Sequence, residues 1–501
     1  MTIVQAGSVN LSALQVPDLI VQITPPGNYL LNGVPTNVLG VVGTASWGPV
    51  NSPAIASGTA DATRQFGTLQ ARKYDLGTAV ACASLQGASN FRLVRVTDGT
   101  DAAATATITA ATSALATALA AAINLGQSGQ RTQSQLVVAS ATGSTLTLTA
   151  KYTGTTGNTL QALIGPGSAA NTSRLTVSLP GQLPELFDNV GASTSTASTA
   201  AFSGGTDGAT TITASTLVGL DTVPRKGMYA LRGTGASVAM LADADDSTQW
   251  TAQVAYGLSE GTYMVMTGPA GDTISNAVAA KATAGIDSYA AKLLFGDWAY
   301  FSDAANGQVR LVSPQGYAAG KLAALSPEQS SLNKPLNGLV GTQKSYASQQ
   351  YSNAELQALA QAGIDVICTP APGGSYFALR MGRNASSNAV TNGDNYTRMT
   401  NYIASTVNAG MGVFIGRTIT PDERRQAKAT LDSFFSAMKD LRMIDDWLVV
   451  LDATNNAPNR EALGYQQADC KVRYLSIVSF LIANLEGGTS VTTKLVSSNA
   501  A

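Results

Sequence analysis

The chain has 501 residues, 12% of them charged and 45% hydrophobic, with a formal net charge of −1. That length suits roughly three domains of about 150 residues, and a charge content about half of the roughly 25% usual in soluble domains suits a surface buried against neighbours, a low-charge monomer being the alternative. The balanced charge, without a Lys/Arg run, excludes nucleic acid as the main partner, and the complete absence of histidine excludes Ser-His-Asp and Cys-His catalysis and HExxH zinc sites.

Residues 1–30 carry Gln22-Ile23-Thr24-Pro25-Pro26-Gly27 and no helical period, which predicts an extended arm with one short strand over 18–23. Next comes Gly40-Val41-Val42-Gly43-Thr44-Ala45-Ser46-Trp47-Gly48-Pro49, with Phe66-Gly67 downstream. An apolar run broken by glycines and closed by Gly-Pro predicts a buried strand ending in a tight turn. Strands and helices alternate as far as Val96, where residues 90–96 read as a strand after a Gly-containing turn, a unit of α/β type.

The character changes at Thr97. Between 97 and 205 the only charged residues are Asp98, Asp101, Arg131, Lys151, Arg174, Glu185 and Asp188, which marks a separate domain. Residues 103–109 and 144–149 alternate as strands, 111–124 is an Ala-rich helix, and 191–205 reads as a Ser/Thr/Ala-rich linker. Within this domain, Ala150-Lys151-Tyr152-Thr153-Gly154-Thr155-Thr156-Gly157-Asn158 reads as a turn whose Gly and Asn can take positive φ.

From Thr206 the alternation resumes: strands over 262–266, 309–312 and 364–368, and helices over 273–282, 317–324 and 354–362. This predicts a mostly parallel sheet covered on both faces. The last clear helix opens with Thr420-Pro421-Asp422-Glu423, a capping box with Pro at the first helical position. Ala427, Leu431, Phe434, Met438 and Leu441 then form its core-facing stripe. Strands over 447–451 and 471–480 follow, and Gly487-Gly488 precedes a strand-forming tail through Val491, Thr493, Leu495 and Val496.

Several chemical motifs come close and fail. Gly316-Tyr317-Ala318-Ala319-Gly320-Lys321 is one residue short of a phosphate loop and continues with Leu322 in place of Ser/Thr; it reads as a helix start. Gly410-Met411-Gly412-Val413-Phe414-Ile415-Gly416 is too long for a dinucleotide fingerprint and reads as a helix end entering a strand. Asp243, Asp245 and Asp246 lack the Gly and closing Glu of a calcium loop and read as acidic residues of a helix's first turn. Ser331-Leu332-Asn333-Lys334 and Ser436-Ala437-Met438-Lys439 match SxxK without its partner motifs. Cys82, Cys368 and Cys470 lack metal or disulfide spacing, and the N-terminus shows neither an export signal nor a membrane span. No catalytic residue, metal site or cofactor is assigned.

The glycine-spaced strand with its Gly-Pro turn and later Phe-Gly resembles the opening of the contractile tail sheath proteins of bacteriophages and related contractile particles. The turn at 150–158, Ser313-Pro314-Gln315-Gly316-Tyr317-Ala318-Ala319-Gly320-Lys321, Lys334-Pro335-Leu336-Asn337-Gly338, and Asp452 with Asn455 and Asn456 resemble later parts of that family, in the same order. The resemblance implies an α/β multidomain fold: a central, mostly parallel sheet flanked by helices, subtilisin-like in topology without the triad, a β-rich inserted domain, and extended N- and C-terminal arms. It divides the chain into an arm over 1–30, the first part of the core over 31–96, an outward-facing insertion over 97–205, a central domain over 206–385, a C-terminal domain over 386–486 and an arm over 487–501.

The function implied is that of a structural, non-enzymatic subunit polymerising as a helical stack of rings around a tail tube protein. Baseplate and tail terminator proteins would be further partners, and nucleic acid and membrane would not. Contraction would drive the tube through the host envelope for genome delivery, in a virion assembled in the host cytoplasm. The sheath of a bacteriocin or injection particle is an alternative, and a degenerate subtilisin-like hydrolase a more remote one. Val21, Ile23, Val491, Thr493, Leu495 and Val496 would lie on intersubunit arms, with Gly487 and Gly488 as hinge. Arg424, Arg425 and Lys428 would contact the tube or a neighbouring sheath subunit. An arm can instead fold back on its own domain; the resemblance favours exchange between subunits.

Overall fold

In the computed structural model, which describes residues 2–5, 20–23, 31–127, 131–482 and 485, the chain opens with two short strands. β1 (Thr2–Gln5) and β2 (Ile20–Ile23) pair in parallel. Only the second is expected from the sequence, because four residues of strand propensity give no periodic signal by themselves.

The core starts with β3 (Val38–Gly43), β4 (Ala54–Ala56), α1 (Thr59–Phe66), α2 (Leu76–Ser84) and β5 (Asn90–Arg95). Every residue of β3 is buried, as a strand covered on both faces requires. Asp75 starts α2 by accepting a hydrogen bond from the Thr78 amide at 2.8 Å, which satisfies one orphan donor of the first turn.

An insertion follows. Its elements are β6 (Thr105–Thr109), α3 (Ser113–Leu125), β7 (Val137–Thr142), β8 (Thr145–Ala150), β9 (Gln161–Pro166), β10 (Ser173–Ser178), β11 (Glu185–Val190) and β12 (Ser198–Ala201). They form antiparallel sheets in the orders β6-β8-β7 and β11-β10-β9-β12, closed around one apolar core with α3. The expected linker over 191–205 therefore contains a strand. β12 is Ser-Thr-Ala-Ala, and its pairing with β9 rests on backbone bonds that its small side chains do not announce. In the 150–158 turn Gly154 takes φ of 127°, while residues 155–159 form a 3-10 helix.

The chain re-enters the core through α4 (Ala214–Val218), β13 (Val238–Leu241), α5 (Trp250–Glu260), β14 (Tyr263–Thr267), α6 (Ile274–Thr283) and β15 (Ala291–Leu294). The central sheet has the order β15-β14-β13-β3-β5-β4. All pairs are parallel except β4 with β5. One face carries Leu39, Val41, Met240 and Val265 against α1 and α2; the other carries Val42, Leu241, Met266 and Leu293 against α4, α5 and α6.

Next come β16 (Ala299–Asp303), β17 (Gln308–Val312), α7 (Gln315–Ala324), β18 (Leu339–Thr342), α8 (Gln343–Tyr346), α9 (Asn353–Gln361), β19 (Ile367–Cys368) and β20 (Ala378–Leu379). α7 is buried almost throughout and packs on the α2 side of the central sheet. The strand expected over 364–368 is reduced to β19 and a parallel bridge from Asp365 to Leu294 of β15; the Asp365 carboxylate accepts from the amides of Val366, Met381 and Gly382.

The last part comprises α10 (Asp394–Gly410), α11 (Pro421–Asp440), β21 (Ile444–Val450), α12 (Pro458–Glu461) and β22 (Asp469–Tyr474). After α10 the chain makes a 3-10 turn over Met411–Phe414, and the strand expected there is absent. Ala427, Leu431, Phe434 and Met438 are buried as the stripe predicts, but Leu441 is 73% exposed. It is the C-cap residue of α11, and Arg442 beyond it takes φ of 58°, so the stripe ends one residue early. Among the described residues no helix is long and apolar enough to cross a membrane.

Candidate assembly surfaces

The C-terminal part is fastened to the central sheet through the start of α10. Lys292 of β15 is fully buried and donates to Asp365 at 2.6 Å and to Asp394 at 3.1 Å. Asp394, the first residue of α10, also accepts from the Tyr263 hydroxyl at 2.5 Å and from Ser331. Burial opposes both charges; the paired carboxylates nevertheless hold Lys292 above its ordinary value, and Lys292, Ser331 and Tyr263 hold Asp394 below its own. One turn on, Arg398 donates to the carbonyls of Leu325, Ser326 and Thr36, and burial pushes it down to about 10. A buried ion pair whose remaining lone pairs are satisfied gives a unique docking geometry more than net stability.

α10 in turn carries residues 31–34. A Cβ added at Gly410 would lie 1.9 Å from Leu31, and one at Gly33 2.0 Å from the Tyr402 hydroxyl, so both glycines are close-approach positions. The Val34 amide donates to Thr406 at 3.2 Å.

On the other side of α10 lies the β21–β22 pair. Asn455 and Asn456 staple its long connection: the Asn455 amide donates to the Val450 carbonyl at 2.8 Å, and the Gln467 amide donates to Asn456 at 2.6 Å. Among the described residues neither strand has a second strand beside it, so backbone donors and acceptors stand open, a ready template for strand addition. An open groove of about 920 Å³ runs between this sheet and α10, lined by Tyr396, Ile403, Val407, Val472 and Tyr474 among others. The strand expected over 471–480 stops at Tyr474, and among the described residues the rest has no ladder partner. Val478, Phe480, Leu481, Ile482 and Leu485 are all exposed, Leu485 at 95%, and grouped exposed apolar side chains of this kind mark an interaction site.

The sequence-derived residues fall into three groups. Val21 and Ile23 lie on β2, opposite Ile3 and Gln5. Gly487, Gly488, Val491, Thr493, Leu495 and Val496 lie outside the described residues. Arg424, Arg425 and Lys428 share the first turns of α11 but differ: Arg424 is tied to Glu461 with a side chain 15% exposed, whereas Arg425 is 77% exposed and faces Asp422. The Thr420 cap accepts from the Glu423 amide at 3.2 Å; Glu423 itself turns to Arg417 at 3.0 Å, so the expected capping box is half made.

The three carboxylates before Trp250 diverge: Asp243 accepts from the Ser313 amide, Asp245 pairs with Lys73, and Asp246 caps the turn at 247–249. Sequence reading missed the Lys292 cluster and the exposed 478–485 run. Phe480-Leu481-Ile482 is visible as an apolar run at the end of the strand expected over 471–480; Lys292, Asp365 and Asp394 are scattered and carry no local signal.

No family model matches this sequence, and no curated protein matches it. Solved structures do. A sheath tail protein from Desulfitobacterium hafniense is similar over 91% of this chain and 100% of its own, with 14% identity and a TM-score of 0.53. One from Listeria innocua covers 87% and 94% with 13% identity and a TM-score of 0.56. The anti-feeding prophage helical sheath in its contracted state covers 94% and 99% with 10% identity and a TM-score of 0.55.

The fold is that of a contractile tail sheath protein. The likeness runs over nearly the whole of both chains. The mixed α/β architecture expected of a sheath protein is present, with the mostly parallel sheet at its centre.

Proposed function

We propose that this chain is the structural subunit of a contractile sheath, polymerising around a tail tube as a helical stack of rings and contracting to drive the tube through a host envelope. The observation that carries this reading is the sheath fold extending over 91% of the chain and 100% of the Desulfitobacterium protein. The open β21–β22 edges, the groove beside them and the exposed apolar side chains of 478–482 suit a subunit that completes its sheets with neighbours. An arm of about 15 residues spans roughly 50 Å at about 3.3 Å per residue, far enough to reach one. In this reading residues 1–30 and 487–501 are the arms, with Val21, Ile23, Val491, Thr493, Leu495 and Val496 supplying register and Gly487 and Gly488 the hinge. Residues 31–96 with 206–385 form the core, 97–205 the outward insertion, and 386–486 the tube-facing domain, where Arg425 and Lys428 are the more available cations.

The particle is a phage tail delivering a genome, assembled in the host cytoplasm, with tube, baseplate and terminator proteins as partners. The sheath of a phage-derived bacteriocin or injection particle is the second reading, favoured by the likeness to the sheath of an extracellular contractile injection system. Energy for contraction comes from new contacts in the contracted lattice, so the subunit works without catalysis. Deleting residues 487–501 tests the exchange: the truncated chain keeps its melting temperature but no longer pellets as polymer. Unchanged polymer yield contradicts the exchanged arm.

A further inference from the structure

Two sequence segments that look unrelated meet in space. The loop after β3, Thr44 to Pro49, leaves the central sheet and places Trp47, 2% exposed, inside the apolar core of the insertion. There its ring meets Tyr152 edge-on at 5.4 Å. The 150–158 turn closes on the same loop: the Thr156 amide donates to the Ser46 carbonyl at 3.1 Å, and the Ser46 and Thr156 hydroxyls lie 2.8 Å apart. A Cβ at Gly154, whose φ is 127°, would lie 2.1 Å from the Ser46 oxygen, so no other residue fits there without displacing the loop.

Charge locks the junction from the other side. Arg95, the last residue of β5, is fully buried and donates to the carbonyls of Gly48 at 2.9 Å, Thr153 at 2.7 Å and Asp207 at 3.2 Å. It thereby ties the core loop, the insertion's turn and the returning chain with one guanidinium. The Asp207 carboxylate accepts from Arg72 of the core at 2.6 Å and from the Thr155 amide of the insertion at 2.6 Å. The two connecting strands are also bridged, Ala102 to Thr206 and Thr105 to Ser203.

We infer that the insertion is not a tethered appendage but one cooperative, rigid unit with the central sheet, with Trp47 as the keystone and Arg95 as the clasp. The insertion's core is incomplete without a side chain that the central domain supplies. Any rotation of the central sheet is therefore delivered in full to the insertion, whatever assembly the subunit enters.

Calorimetry of the monomeric full-length protein, with hydrogen exchange read separately for β6–β12 and for the central sheet, tests this. The wild type is expected to unfold in a single transition with both regions opening together. Trp47→Ala, and independently Gly154→Ala, should split it, with β6–β12 exchanging and melting first while the central sheet keeps its protection. Two transitions in the wild type, or a Trp47→Ala protein that still melts as one unit, would overturn the inference. Because the readout is unfolding rather than assembly, its outcome is independent of the sheath reading.

Discussion

At the residue scale the strongest constraint is the Lys292 cluster. Removing one partner of a buried pair strands the others, so Lys292→Met should lose about 3–5 kcal/mol at neutral pH in urea unfolding, because Asp365 and Asp394 are left as unpaired carboxylates. Asp394 is held below its ordinary value, so its contribution is present above an ordinary aspartate pKa of about 3.9 and is lost as pH falls through the depressed value. Lys292 is raised, so its contribution is present below about pH 10.4 and is lost only as pH rises past the raised value. The gap between wild type and Lys292→Met is therefore expected to be flat through neutral pH and to narrow in acid. A gap that widens in acid would contradict the assignment.

The cations of α11 separate at the same scale. Arg425→Glu should alter tube-templated assembly with the urea midpoint unchanged, whereas Arg424→Glu should lower the midpoint, since Arg424 is tied to Glu461 and little exposed. Equal midpoints for the two variants would place both residues at the surface.

At the scale of elements, the helices announced themselves best. α11 begins where Thr420 and Pro421 say it should, and its buried stripe follows the 3.6-residue period. Since the cap is a single bond from the Glu423 amide without the return bond from the Glu423 side chain, Thr420→Ala is expected to cost about 1 kcal/mol, measurable by thermal or urea unfolding. Strands were legible where both faces are buried, as in β3, or where polar and apolar residues alternate, as in β6, whose burial alternates residue by residue. They failed where pairing depends on a distant partner. β12 is a strand because β9 lies beside it, and 475–482 is none because no strand of the described residues pairs with it, although the sequence of the second is the more strand-like. Asp365 bridges β15 and holds amides 16 and 17 residues away, pairings beyond any local pattern.

At the scale of the whole molecule, the order of glycine and proline motifs along the chain carried the family resemblance, and the fold agrees with it over nearly its full length. The long-range joints were not legible. Trp47 reaching into the insertion and Lys292 receiving α10 each join residues about 100 apart in sequence, and composition cannot report such pairings. These joints tie the insertion and the C-terminal part to the central sheet, and the open features of the described residues lie together at the C-terminal part: free strand edges, a groove beside α10, and the exposed apolar side chains of 478–482. The most direct measurement is negative-stain electron microscopy of the purified protein, alone and with a matching tube protein. Hollow, cross-striated cylinders are the predicted result; a monodisperse globular particle under every condition would contradict the account.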